Sequence, residues 1–374
     1  MLMIFCGLTL CACSAFCEHE YGEWEIVKKS TCAENGEKAR ACVKCGDTET
    51  EKLELSNTHN IKDQYCEICD TIFYKDLIVT AYNMDIIGYQ GQENFVIPGT
   101  FRDEEGTYYK VITLSDGAFY GLNSLKSVTI PETVEHIGGA FAYCENLSEV
   151  ILPDTVISIQ SNAFSNTEIY KNPNNWDGGV FYIGKHLIKA EKSMIQSSYT
   201  VKEGTISIGL QAFAYCDSLE SITLPSSVKN ISPYAFFACN ALREINLPEG
   251  LERIGHKAFA ITDIKSIVIP ESVTAIEDFT FERCSSLESI TLSNNIKSIG
   301  KSAFEQCEAL ENITLPQKLI NIGEAAFKGC YNLKTINFPG TKTRWNVIPK
   351  GDFGNDISSA CTIICTDGTI EKTN

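Results

Sequence analysis

Leu219-Glu220-Ser221-Ile222-Thr223-Leu224-Pro225-Ser226-Ser227-Val228-Lys229-Asn230-Ile231, followed by Ala235-Phe236 and Cys239, decides the fold of this chain. Its first seven residues alternate apolar and polar side chains at their end, over Ser221-Ile222-Thr223-Leu224, the pattern of a short half-buried strand. Pro225 ends that strand because it has no N–H to give to a ladder. Val228 and Ile231 supply a second apolar row, and the Ala-Phe pair marks a tight turn. The same unit then returns. Its Phe recurs at Phe119, Phe141, Phe164, Phe213, Phe236, Phe259, Phe281, Phe304 and Phe327, at steps of 22, 23, 49, 23, 23, 22, 23 and 23 residues. A period in the twenties with Leu and Ile at fixed phase predicts a leucine-rich-repeat type solenoid. About 23 residues that already hold a strand and two turns leave little room for a full helix. The expected fold is therefore mainly β, with coils of about 23 residues and short helical or 3-10 pieces. A solenoid buries its core by stacking one repeat on the next and offers long surfaces with few deep clefts. That shape points to binding more than to catalysis.

Cysteine occupies one slot of the unit, three residues after the Phe, at Cys144, Cys216, Cys239, Cys284, Cys307 and Cys330. Thr167 and Thr262 fill the same slot elsewhere. A position shared by Cys and Thr beside the Phe and Leu rows reads as small core packing, since a free thiol behaves as a small hydrophobe. The long step between Phe164 and Phe213 holds 26 residues beyond one period of 23. This insertion, near residues 165–203, includes Trp176-Asp177-Gly178-Gly179 and Phe181-Tyr182-Ile183-Gly184. Two readings fit it, an extra structural coil or a hairpin carrying a binding site.

Several segments resemble the BspA-type leucine-rich repeat family. They are Ser289-Ile290-Thr291-Leu292 with Ile299-Gly300 and Ala303-Phe304-Glu305-Gln306-Cys307, the stretch Gly178 to Gly184, and the close of the chain. That close contains Gly340-Thr341, Trp345 and Cys365-Thr366-Asp367-Gly368. The resemblance covers residues 77–374, with a closing coil near 340–374. It implies a bacterial surface protein, and some members are adhesins for host matrix proteins or other cells. It brings no catalytic residues.

The N-terminus differs in character. Residues 1–12 are almost wholly apolar, too short for a membrane span and suited to an export signal. Leu10-Cys11-Ala12-Cys13 resembles a lipobox, which would place a lipid on Cys13, although no Lys or Arg precedes the apolar run. A plain secretory signal is the alternative. Residues 13–75 form a small Cys/His module. Cys42 and Cys45 lie 20 residues before Cys66 and Cys69, counted between the two C-x2-C pairs. This is the spacing of a zinc ribbon, in which four thiolates hold one tetrahedral ion. His59 is an alternate ligand, and Cys32 with His19 are candidates for a weaker second site. Disulfides are the competing reading in an oxidising compartment. Either staple would supply stability that so small a segment cannot draw from its core.

The formal charge is −17 over 374 residues. Such a surface repels nucleic-acid phosphates and anionic lipid, so contact with a membrane is expected only through a lipid anchor. Beyond the N-terminal module the histidines are His136, His186 and His256, each read as an exposed repeat position, and no Ser, His and Asp constellation can be drawn. The chain is read as a non-enzyme and a monomer. The candidate binding surface is the outward pair on each strand: Ser221 and Thr223, Glu244 and Asn246, Ser289 and Thr291, Asn312 and Thr314. These side chains are short and mostly uncharged, suited to extracellular proteins or glycans. A surface spacer without a ligand is the rival reading.

Overall fold

The computed structural model describes residues 87–351 and 361–371, together with Thr80 and parts of the N-terminal segment. Those parts are Glu20, Glu23 and the strands Glu25–Lys28, Gly36–Ala41, Thr48–Leu53, Ile61–Lys62, Tyr65–Cys66, Thr71–Ile72 and Lys75–Val79. The chain divides into two compact units, one of residues 1–75 with 102–109, the other of residues 76–101 with 110–374. In the first unit Glu25–Lys28, Gly36–Ala41 and Thr48–Leu53 make an antiparallel meander, tied by the ion pair of Arg40 and Glu49. Ile61–Lys62, Tyr65–Cys66 and Thr71–Ile72 make a second one. Cys13, His19, Cys32, Cys42, Cys45, His59 and Cys69 lie outside the described residues, as does the side chain of Cys66.

The second unit is a solenoid of coils of about 23 residues, each giving two short parallel strands. The first row contains Ser198–Thr200, Ser221–Thr223 and Glu244–Asn246, paired in register so that Ile222 lies opposite Ile245. Its central residue is buried and its flanking residues face out, as in Glu244–Asn246. The second row contains Ser207–Ile208, Asn230–Ile231 and Arg253–Ile254. Between the rows lies the core of Leu, Ile, Val and the recurrent Phe, all nine of whose side chains are buried. Phe213, Phe236, Phe259, Phe281, Phe304 and Phe327 stack face to face at 5.4–5.6 Å between ring centres. Phe119, Phe141 and Phe164 form a shorter stack ahead of the insertion. The insertion is itself a coil. The hairpin Val180–Ile183 with His186–Ala190 adds to the second row, where His186 pairs in register with Ser207. The short helix Glu168–Lys171, N-capped by Thr167, replaces the strand of the first row.

The Ala-Phe pairs mark tight turns, as expected, and the short helical pieces lie elsewhere. Among the described residues, short helices occur only at Glu168–Lys171, Pro173–Asn175 and Lys342–Val347; the repeated turns hold none. The reason is in the backbone. In the coils from Phe213 to Phe327 the residues two before and two after the buried Phe adopt left-handed conformations, for example Tyr234 (φ 57°) and Ala238 (φ 54°) around Phe236, or Ser302 (φ 51°) and Gln306 (φ 60°) around Phe304. A left-handed residue costs roughly 1–2 kcal/mol and ends a right-handed helix. Here each one turns its N–H along the solenoid axis. Tyr234, Phe236 and Ala238 donate to the carbonyls of His256, Ala258 and Ala260 at 2.9 Å. Ser302, Phe304 and Gln306 repeat the pattern to Glu324, Ala326 and Lys328. The intercoil hydrogen bonds offset the strain. Glycine follows its own logic in the Ile-Gly pairs: a Cβ on Gly300 would come within 2.5 Å of the Asp278 nitrogen.

The six repeat thiols are buried and carry no disulfide. Five of them donate to the backbone of the preceding coil, as Cys144 does to the Phe119 carbonyl at 2.8 Å and Cys239 to that of Phe213 at 3.0 Å. Thr262 makes the equivalent bond to its own coil, to Phe259. Burial pushes Cys144, Cys216 and Cys284 up to about 11, so these thiols are poor nucleophiles at neutral pH. Their chemistry is that of core packing.

Candidate binding surface

The outward positions of the first row run along the solenoid on one face. Thr223, Glu244, Asn246, Ser289, Thr291, Asn312 and Thr314 are exposed, and Ser221 is half-buried. The backbone brings them into line because the strands pair in register with their central Ile pointing inward. A shallow groove of about 200 Å³ opens beside Thr291 and Thr314, bounded by Asn294, Leu315 and Pro316. Apolar residues interrupt the polar face at the third strand position. Val96 is 70% exposed, Val268 62% and Ile151 54%, with Ile364 also exposed. Reading only the coils whose outward residues are polar hid these aliphatics, although they occupy the same slot in the sequence. A face that mixes short hydroxyls, amides and single exposed aliphatics can be covered by a partner, provided the carboxylates of Glu149 and Glu244 stay wet or meet a cation.

The histidines require correction. His186 is not exposed: it is 1% accessible and sits where the insertion coil meets its neighbours. Its Nδ1 lies 2.8 Å from Ser207 Oγ and its Nε2 lies 3.1 Å from the Pro153 carbonyl. The carbonyl can only accept, so Nε2 carries the proton and Nδ1 accepts from Ser207. Burial holds the ring down to about 4, with the Pro153 carbonyl and Asp154 opposing and Lys185 assisting. A hydroxyl against an imidazole is the contact of an activated nucleophile. Here both partners are sealed, Ser207 at 2% exposure, so the pair joins coils and meets no substrate. His136 and His256 are half-buried, and burial also lowers His136. Among the described residues, no three His, Cys, Asp or Glu side chains gather to hold a metal ion. No helix among them is long and apolar enough to cross a membrane.

The sequence profile described as the BspA type leucine-rich repeat region, of six copies, matches residues 110–240, 182–282 and 252–367, more than half of the chain. This chain belongs to the BspA-type leucine-rich repeat family. The matched BspA-type coils include most of both strand rows and all nine stacked Phe; the antiparallel strand Gly368–Glu371 follows directly after them. Solved structures with similar repeats include a leucine-rich cell surface protein of Faecalibacterium prausnitzii. It is 22% identical, with 69% of this chain and 90% of that one covered and a TM-score of 0.36. A leucine-rich repeat protein of T. pallidum is 23% identical over 71% of this chain and 87% of its own, with a TM-score of 0.23. The pneumococcal vaccine antigen PcpA is 16% identical over 74% and 84%, with a TM-score of 0.34. No curated protein matches the chain.

Proposed function

We propose that this BspA-type protein is an exported cell-surface binding scaffold, whose first strand row meets an extracellular protein or glycan. The observation that carries the reading is the in-register row of outward residues, polar and short, with isolated exposed aliphatics and no neighbouring catalytic group. One similar structure is of a protein described as a cell surface protein, and another of a vaccine antigen. In this proposal Cys13 bears a lipid, and residues 13–75 form a stalk stapled by zinc through Cys42, Cys45, Cys66 and Cys69. Elemental analysis of the full chain, purified under reducing conditions, should then give about one equivalent of zinc, as a closed four-ligand site requires. A metal-free chain with those four cysteines in disulfides would reject the staple.

Contacts of this kind are individually weak and gain strength when many copies share a surface. Replacing Ser221, Thr223, Ser289 and Thr291 together with Lys should lower attachment of displaying cells by roughly tenfold or more, since avidity multiplies each loss. Circular dichroism of the variant should match the parent, because those side chains support no core contact. If attachment persists there but is lost on replacing the exposed insertion residues Asn174, Met194 and Gln196, which leaves the buried hairpin intact, the insertion is the docking site. Indifference to both changes favours the spacer reading.

A further inference from the structure

A second surface runs along the Ala-Phe turns. In the coils of Phe304 and Phe327 the positions flanking the buried ring carry residues such as Ser302, Glu305, Gln306 and Lys328. In the coils from Phe213 to Phe281 the corresponding edge is aromatic. Tyr215 meets Phe237 at 5.4 Å, Phe237 meets Tyr234 at 5.5 Å, Tyr234 meets His256 at 5.3 Å and His256 meets Phe279 at 5.4 Å. All four contacts are edge to face, with interplanar angles of 61–84°. Tyr215 is 51% exposed and the other four rings are half-buried.

The fold does not require these rings. Three of them, Tyr215, Tyr234 and Phe279, occupy left-handed positions, where a bulky side chain is uncommon. Ser302 and Gln306 fill the same slots with the same backbone, and the Phe304 stack beneath is unchanged. A contiguous, partly exposed aromatic strip that the core does not require is a candidate interaction site.

His256 links this strip to a groove of about 390 Å³ between the turns and the second strand row. Glu277, Asp278, Ser298 and Asn321 supply its polar atoms, and Ala275 and Gly300 leave its floor open. One oxygen of Glu277 accepts from Arg253 and one of Asp278 from the Lys301 N–H, which leaves each carboxylate with further acceptor capacity.

Aromatic faces beside carboxylate, amide and hydroxyl groups suit a ligand with apolar faces and hydroxyl edges. Charge narrows the choice. Glu277 and Asp278 at the groove, in a chain of formal charge −17, oppose phosphate, sulfate or uronate groups. The protein's own ammonium groups already occupy places over the rings, Lys192 over Tyr215 and Lys257 over Phe279, each at 4.6 Å. A cationic ligand would have to displace them. We infer that the strip from Tyr215 to Phe279, with the adjoining groove, is a docking track for a neutral saccharide chain. The inference rests on the reading of this chain as a displayed binding scaffold and gives it a second, chemically distinct face.

The test uses the full chain in affinity electrophoresis against a neutral β-glucan, a galactomannan and a chitin oligomer, with heparin and polylysine as charged probes. The triple variant Tyr215→Gln, Phe237→Glu and Phe279→Ser borrows the residues that Gln306, Glu305 and Ser302 supply at the equivalent positions, so its thermal midpoint should not move. At least one neutral saccharide should bind the parent, and the variant should bind it roughly tenfold or more weakly. Asn321→Arg, which fills the groove from an exposed position, should weaken it too. Unchanged binding in both variants overturns the track, as does binding of heparin or polylysine alone. If no neutral saccharide binds while attachment still responds to the sheet-face lysines, the track fails and the scaffold reading stands. Loss of both responses fails both.

Discussion

Replacing Phe236 with alanine is expected to destabilise the solenoid by ~3–5 kcal/mol, the cost of truncating a fully buried aromatic residue. The ring is 0% exposed and lies between Phe213 and Phe259, 5.4 Å from each and nearly parallel to both. Its removal deprives two neighbours of a packing face. The backbone cannot close over the void, because Phe236 N–H is held by the Ala258 carbonyl and Ala235 carbonyl by the Phe213 N–H. The upper part of the range is therefore expected. Denaturant unfolding measures the loss, and a change below about 1 kcal/mol would mean that the turns collapse freely. The damage should also be local. Most contacts of this coil are with its neighbours, apart from the Ser232 hydroxyl, which donates to the Ile157 carbonyl at 2.9 Å, so amide protection should fall between residues 210 and 262 and survive near Phe327.

Acid should weaken the junction at His186. The unfolded chain binds a proton there near 6.5, and the folded chain only near about 4. Protons therefore favour the unfolded state throughout that window. The stabilisation is complete above pH 6.5 and is lost as pH falls towards 4. At about 1.4 kcal/mol per pH unit, the gap corresponds to ~3 kcal/mol. Protonation would also turn Nδ1 from an acceptor into a donor facing Ser207 Oγ, which must then reverse its hydroxyl. Asp154, paired with Lys185, opposes the shift from nearby. Unfolding free energies followed from pH 7.5 to 4 should fall by that amount more in the parent than in His186→Gln. Parallel profiles for the two proteins would show that the ring titrates as it does in water.

The strand rows, the buried Phe and the small packed thiols were legible because each repeats at a fixed phase against an apolar pattern. The turn backbone was not. Lys257 and Ile261 are ordinary residues, and nothing in their identity announces φ values of 53° and 59°. Only the intercoil hydrogen bonds make those conformations worthwhile, and hydrogen bonds between coils leave no trace in composition. His186 was misread for a related reason. The insertion is a single event without a period, so its burial against Pro153 and Ser207 depends on contacts from two other coils. On the candidate surface, Ser221 to Thr314 followed from the alternation of the strand, whereas Val96 and Val268 went unread because an apolar residue in a strand suggests the core. The aromatic edge was hidden by its drift, since Tyr215, Phe237 and Phe279 stand at different offsets from their buried Phe.

The forward-pointing turn hydrogen bonds have an evolutionary corollary. Each coil around Phe213 to Phe304 offers amide hydrogens to the next coil and receives the same from the one before. Removing or duplicating a whole period leaves the two cut faces complementary, with no orphan donor created at the seam. Array length is thereby decoupled from foldability, and genes of this kind can change reach by unequal exchange of units of about 23 residues. Substitution within a unit must satisfy the core; addition of a unit need only keep the phase. A lineage can accordingly lengthen or shorten its solenoid in single steps while every surface row stays aligned.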